Sequence, residues 1–210
     1  MLTNTSQYQF IVIEGIDGVG KTTTAKRLSD RLPAHYYKLP PALLEHCHLV
    51  GDEYNTQSLR TFIDELAFTL PHARFLFYLL GLVKATQEIQ DLLLSGHVVA
   101  DRYLSSTLAH HWAIDPNLKK ADLSWLSILK PDLEFLLVIH DRKEHERRIS
   151  ERTGVRSDFL LESDRDYLFQ VQEQFIELNL IQVDVSHRSV EIIVDELVKQ
   201  VKSNGTQRFL

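Results

Sequence analysis

The 210-residue chain has a single cysteine, Cys47. One thiol excludes an internal disulfide and fits a reducing compartment. Strong charge of either sign is also missing. Twenty-nine acidic residues face 23 basic ones for a net charge of −6, and the two signs are mixed along the chain. That excludes the basic face of a general nucleic-acid or membrane binder. No apolar run is long enough for a bilayer: "FLFYLLGLV" is about half of what is needed. The opening "MLTNTSQYQ" lacks the basic-then-apolar build of a secretory signal. No repeat, low-complexity segment or interdomain linker is visible. The expectation is one soluble, cytoplasmic domain over 1–210, with 44% hydrophobic residues to form its core.

What is present is an alternation of strand and helix. "YQFIVIE" is a short continuous apolar run, as expected of a strand buried on both faces. Residues 21–32 have helical composition, closed by Pro33. "HYYKL" reads as a weak second strand, and a helix is expected near 57–70. A long helix restarts at Pro71, where a first turn tolerates proline. It is expected to run to about Ser95 and stop at Gly96. "HVVAD", "DLEFLLVI" and "LIQVDV" are further strands, each followed by a helical stretch. The pattern predicts an α/β layered domain with a mostly parallel sheet.

Behind the first strand, Gly15-Ile16-Asp17-Gly18-Val19-Gly20-Lys21-Thr22 fits G-x-x-x-x-G-K-S/T at every fixed position. Such a loop aims successive backbone N–H groups into one concavity, and the next helix adds its N-terminal partial charge. Gly15, Gly18, Val19, Gly20, Lys21, Thr22 and Thr23 are thus expected to cradle the phosphates of ATP. Lys21 reaches the outer phosphates, and Thr22 offers a hydroxyl to Mg²⁺.

Ligands of parallel α/β sheets lie at the carboxyl ends of the strands. "HVVADRY" ends in Asp101-Arg102, a carboxylate placed to hold Mg²⁺ with Thr22 and a fork that can clamp a phosphoryl oxygen. The arginine-rich "DRKEHERRISERTGVRSD" follows the next strand. Arg148 and Arg152 share a helix face, and Arg156 lies beyond Gly154. The stretch reads either as a solvated helix balanced by its glutamates or as a lid over ATP, about 148–162; after the loop and the Asp-Arg strand end, the lid is preferred.

"FIVIEGIDGVGKTT", "DRYLSSTLA", the long helix before "SGHVVADRY" and the strand "PDLEFLLVI" with its lid together resemble the thymidylate kinase family, from about Phe10 to Leu197. The resemblance implies a nucleoside-monophosphate-kinase-like P-loop fold, with a five-stranded, mostly parallel sheet flanked by helices and a short lid, often dimeric through its helices. It implies phosphorylation of dTMP to dTDP with MgATP. It also implies that Asp17 holds the acceptor sugar's 3′-hydroxyl and that Asp101 supports the metal. Arg102 would bridge donor and acceptor phosphates. With Val19 in place of a loop arginine, lid arginines such as Arg148 and Arg152 would serve catalysis. Phe77 falls where the family stacks a ring on the thymine.

The departures lie on the acceptor side. Lys38-Leu39-Pro40 stands for the family's Arg-Glu-Pro, keeping a charge for the acceptor phosphate but losing the fork. Gly81 stands where an arginine bonds the base. His110-His111-Trp112 replaces Tyr-Gln-Gly, and Asp158-Phe159-Leu160-Leu161 replaces the lid's Asp-Arg-x-Glu. A mid-helix glycine costs about 1 kcal/mol relative to alanine, so Gly81 needs a reason. Either another helix packs closely there, or the acceptor pocket is enlarged, with His110 and His111 as its polar readers; the alternative for the pair is ordinary helix histidines near the surface. His46-Cys47-His48 lacks a second pair at zinc spacing. Glu14 reads as a supporting residue near the loop. The alternatives kept open are a different or modified nucleotide acceptor, a nucleoside acceptor, and nucleotide binding without transfer.

Overall fold

The computed structural model describes residues 1–39, 56–151 and 165–207. Five strands form one sheet: β1 (Phe10–Glu14), β2 (His35–Lys38), β3 (Val98–Asp101), β4 (Leu133–Val138) and β5 (Ile181–Asp184). Their order is β2-β3-β1-β4-β5, and every neighbouring pair is parallel. The seven α-helices among the described residues are α1 (Lys21–Arg31), α2 (Thr56–Thr69), α3 (Pro71–Leu92), α4 (Leu104–Ile114), α5 (Arg142–Ser150), α6 (Arg165–Glu177) and α7 (Val190–Gln207). A 3-10 turn, Pro116–Lys120, follows α4.

The central strand β1 is buried at every residue, which is why it carries no polar alternation. Ile11 and Ile13 join Ala25 and Leu28 of α1, Val171 and Phe175 of α6, and Val194 and Leu197 of α7. Phe10 and Val12 face the other way, toward Phe75, Leu79 and Leu82 of α3. Each pair alternates across the strand as its period of two requires.

Register decides what meets at the site. Ile13 pairs with Asp101, Lys38 with Asp101, and Glu14 with Leu136. Since all strands point the same way, the residues following each one collect at a single edge. One boundary differs from the sequence expectation: α3 ends at Leu92 rather than near Ser95. Leu94 N–H donates to Asp91 and Ser95 N–H to Leu92, so tightened turns end the helix before Gly96. No described helix is long and apolar enough to cross a membrane.

Candidate active site

The loop after β1 is packed from behind. At Gly15 a Cβ would lie 2.6 Å from the carbonyl oxygen of Leu137. At Gly18, where φ is +92°, it would lie 2.8 Å from both His145 Nε2 and Ile149 Cγ1. Only glycine tolerates that backbone and that proximity together. The Val19 side chain is turned into the core, so only its backbone can face a ligand. Lys21 is buried; its Nζ donates to the Ile16 carbonyl (2.8 Å) and to the Asp17 carboxylate (3.1 Å). Burial pulls its pKa down, Arg102 adds to this, and Asp17 and Asp101 oppose it.

Asp101 ends β3. Its Oδ2 accepts from Thr22 Oγ1 (2.5 Å) and from the Tyr36 hydroxyl (3.4 Å). Its Oδ1 is buried without a hydrogen-bond partner. A hydroxyl and a carboxylate with one unclaimed, water-excluded oxygen form a hard donor pair, and this fits Mg²⁺.

Arg102 has φ +75°, a left-handed conformation unusual for a residue with a side chain. Its N–H donates to Ile13 (3.0 Å), continuing the strand pairing by one residue. Its guanidinium reaches the Asp17 carboxylate, Ser106 Oγ (3.5 Å) and His110 Nε2 (3.3 Å). The arginine thus spans from the loop to α4. Below it, buried Glu14 accepts from the N–H groups of Tyr103 (2.7 Å) and Ser106 (3.1 Å) and from the Ser106 hydroxyl. Burial raises the Glu14 pKa. Glu14 therefore fastens the start of α4 beneath the loop.

Both histidines of α4 are buried, so neither is a surface helix residue. Burial, aided by Arg102, pushes the His110 pKa well below its ordinary value, leaving a neutral ring that accepts from Arg102. His111 donates Nδ1–H to the Thr107 carbonyl (2.7 Å) and offers Nε2 to a residue that sequence reasoning missed, Arg74 (2.9 Å). Burial and then Arg74 pull His111 down to about 3. Arg74 is itself buried, with its guanidinium 4.7 Å from the Tyr78 ring centroid. The signal available for it was a lone cation beside the apolar run "FLFYLLGLV". Phe77 and Gly81, on the same helix, are half-buried. Lys38 is exposed at the end of edge strand β2.

The sequence switches to helix at Asp141, whose carboxylate caps the N–H groups of Lys143 and Glu144 at the start of α5. Arg148 near its far end donates to Glu144 (2.6 Å) and to the Val185 carbonyl (2.7 Å) after β5. The structure thus brings Asp17, Lys21, Thr22, Asp101, Arg102 and His110 together and places Arg148 on the β5 side of the loop. Arg152, Arg156, the segment 158–161 and His46-Cys47-His48 lie outside the described residues. A second missed residue is His145 of α5, which is fully buried against the loop with Nε2 2.5 Å from the Asp17 carbonyl oxygen.

Comparison with known proteins gives the family. The family model described as thymidylate kinase matches residues 13–197. The chain belongs to the thymidylate kinase family. The probable thymidylate kinase of Methanocaldococcus jannaschii is 31% identical over 201 residues, spanning 92% of this chain and 96% of the relative. That of Pyrococcus abyssi is 32% identical over 209 residues, spanning 92% and 95%. Among solved structures, the thymidylate kinase of Candida albicans superposes with a TM-score of 0.70 at 24% identity, over 96% of this chain and 95% of that one. A deoxyadenosine kinase from M. mycoides does so with 0.63 at 15% identity, over 92% and 99%. These likenesses establish the P-loop kinase fold. As a member of the family, the protein is a nucleoside monophosphate kinase.

Proposed function

We propose that this kinase phosphorylates dTMP to dTDP with MgATP. The observation that carries the reading is Asp17 set between two cations, the Lys21 ammonium and the Arg102 guanidinium, at the mouth of a phosphate-binding loop. An oxygen of the acceptor phosphate attacks the γ-phosphorus, and the bond to the bridging oxygen breaks, leaving ADP. The attacking oxygen is already anionic, so no general base is required. Glu14, committed to donors at 103 and 106, is accordingly not asked to be one, which favours a monophosphate over a nucleoside acceptor.

The work is positioning and charge stabilisation. Backbone N–H groups of Gly15, Gly18, Val19, Gly20, Thr22 and Thr23 hold the donor phosphates, and Lys21 reaches the outer ones. Thr22 and Asp101 would hold Mg²⁺, which when bound neutralises phosphate charge. Arg102 bridges donor and acceptor, Asp17 takes the sugar 3′-hydroxyl, and Phe77 stacks on the base. Arg148 and Arg152 close from the lid side, and exposed Lys38 meets the acceptor phosphate. The protein works in the cytoplasm as a homodimer. Exposed Phe62, Phe68, Leu76 and Leu80 on α2 and α3 supply an apolar contact face for the second copy.

The test is ADP release with MgATP against dTMP, dUMP, the other nucleoside monophosphates and thymidine. Selective turnover of dTMP is expected. A clearly better acceptor would transfer the reading to that nucleotide, and turnover of thymidine alone would overturn it.

A further inference from the structure

Two adjacent tyrosines of edge strand β2 serve opposite faces of the sheet, as a period of two requires. Tyr37 donates to Glu88 of α3 (2.5 Å). Tyr36 packs on the other face, against the core that α1 helps to form.

Register explains where the Tyr36 ring goes. Tyr36 pairs with Val99, and Asp101 follows two residues later on β3, on the same face. The tyrosine and the aspartate are thus diagonal neighbours on adjacent strands, with Cα atoms about 8 Å apart from strand spacing and rise. An aromatic side chain spans that separation. The Tyr36 hydroxyl reaches Asp101 Oδ2 (3.4 Å), the oxygen that also accepts from Thr22 at the start of α1 (2.5 Å). The Lys26 ammonium of α1 lies 5.6 Å from the centroid of the same ring.

The two donors divide the carboxylate unequally. Thr22 approaches Oδ2 from the helix and Tyr36 from the neighbouring strand, while Oδ1 is buried with no hydrogen-bond partner among the described residues. The last torsion of an aspartate is broad and two-fold. Two donors on one oxygen, from two different elements, fix which oxygen is left over.

We infer that Tyr36 is a positioning residue for the divalent cation: its hydroxyl holds Oδ2 of Asp101 so that Oδ1 is presented to Mg²⁺. A phenol keeps its proton at neutral pH and can donate it. A carboxylate ligand that is itself hydrogen-bonded is the general way in which a metal site is supported from outside. In the sequence Tyr36 is one letter of the weak strand "HYYKL"; only the register shows what it reaches. The inference rests on the reading that Thr22 and Asp101 take Mg²⁺.

The experiment needs no acceptor. Binding of the β,γ-imido analogue of ATP is measured by calorimetry with Mg²⁺ and with EDTA, in wild type, Tyr36→Phe and Asp101→Asn. Mn²⁺ binding to the same complexes is followed by electron paramagnetic resonance. Asp101→Asn should remove most of the affinity that the metal adds. Tyr36→Phe keeps the ring and its contacts with the core and Lys26 but deletes the hydroxyl. It should weaken Mn²⁺ binding about 10-fold while metal-free affinity, which also reports an intact fold, stays within about 2-fold. Equal weakening with and without metal would make the tyrosine structural and overturn the inference. A metal gain unchanged in Tyr36→Phe but lost in Asp101→Asn would overturn it and leave the metal reading standing. A gain unchanged in both variants would overturn the two together. A gain reduced in both, in a protein that turns over no acceptor, would support the inference while the transfer reading fails.

Discussion

His145 donates its Nε2–H to the backbone carbonyl of Asp17 across 2.5 Å. A side chain of α5 thereby holds the loop residue whose carboxylate engages both Lys21 and Arg102. Its Nδ1 is buried without a partner, and burial lowers the ring's pKa, so the uncharged tautomer is the working one. His145→Ala should lower kcat about 10-fold or more while costing about 1 kcal/mol of stability. His145→Gln, which places an amide N–H near the same point, should recover most of the rate. Equal rates in all three proteins, measured at saturating ATP, would show that the contact matters to folding alone.

Arg102→Ala should lower kcat about 1,000-fold, with ATP binding changed by no more than a few-fold, if its fork acts as proposed on the transferring group rather than on the nucleotide. Its left-handed backbone adds a stability signature. Arg102→Gly should be more stable than Arg102→Ala by about 1 kcal/mol, since only glycine occupies φ +75° freely. Calorimetry on the two inactive variants checks this, and identical melting temperatures would remove the strain.

His111 is one of the buried rings that set acid stability, with His110 and His145. Its folded pKa is about 3 against an ordinary 6.5, so between those values the unfolded chain binds a proton that the folded chain refuses. Stability therefore falls as pH drops below 6.5, and the loss from this ring reaches about 2 kcal/mol at pH 5. In urea titrations at pH 7.5 and 5, His111→Gln should shrink the difference by about that amount. A variant with the same acid sensitivity as wild type would put the proton elsewhere.

Glu134 gives the opposite slope. Burial, then repulsion from Glu14, lifts its pKa to about 8 from an ordinary 4.5, while Ser105 opposes the rise. One of its oxygens is buried and unpaired. The folded protein keeps a proton that the unfolded chain loses, so stability declines as pH rises from 4.5 to about 8. Glu134→Gln should gain on the order of a few kcal/mol at pH 8.5 and little at pH 4.5. An equal gain at both pH values would point to packing instead of charge.

The parts legible in the sequence were those whose signal is local. β1 announces itself as an unbroken apolar run because both its faces are covered. The glycine loop and the Asp101-Arg102 strand end are each contiguous, and bringing them to one edge then needs only the rule that ligands gather at carboxyl ends. Arg74 and His145 were not legible because their meaning is supplied by distant residues. Arg74 finds His111 37 positions away and His145 finds Asp17 128 positions away. In the sequence, each reads as a polar residue on an amphipathic helix. The end of α3 was misplaced because Gly96 looked like the terminator, whereas backbone bonds to Asp91 and Leu92 had already closed the helix.

Asp17 standing between Lys21 and Arg102 would, on the proposed reading, make substrate entry an ion exchange. If the phosphates bind as proposed, they do not meet bare cations; they displace a resident carboxylate that holds the site's positive charge in place. On the proposed reading, handing Arg102 to the acceptor phosphate releases the Asp17 oxygen it was gripping, and a sugar hydroxyl can then donate to it. Affinity gained at one end of the nucleotide is thereby linked to recognition at the other. Because one anion replaces another, the binding constant should depend on ionic strength more weakly than the charges on a nucleotide alone would suggest.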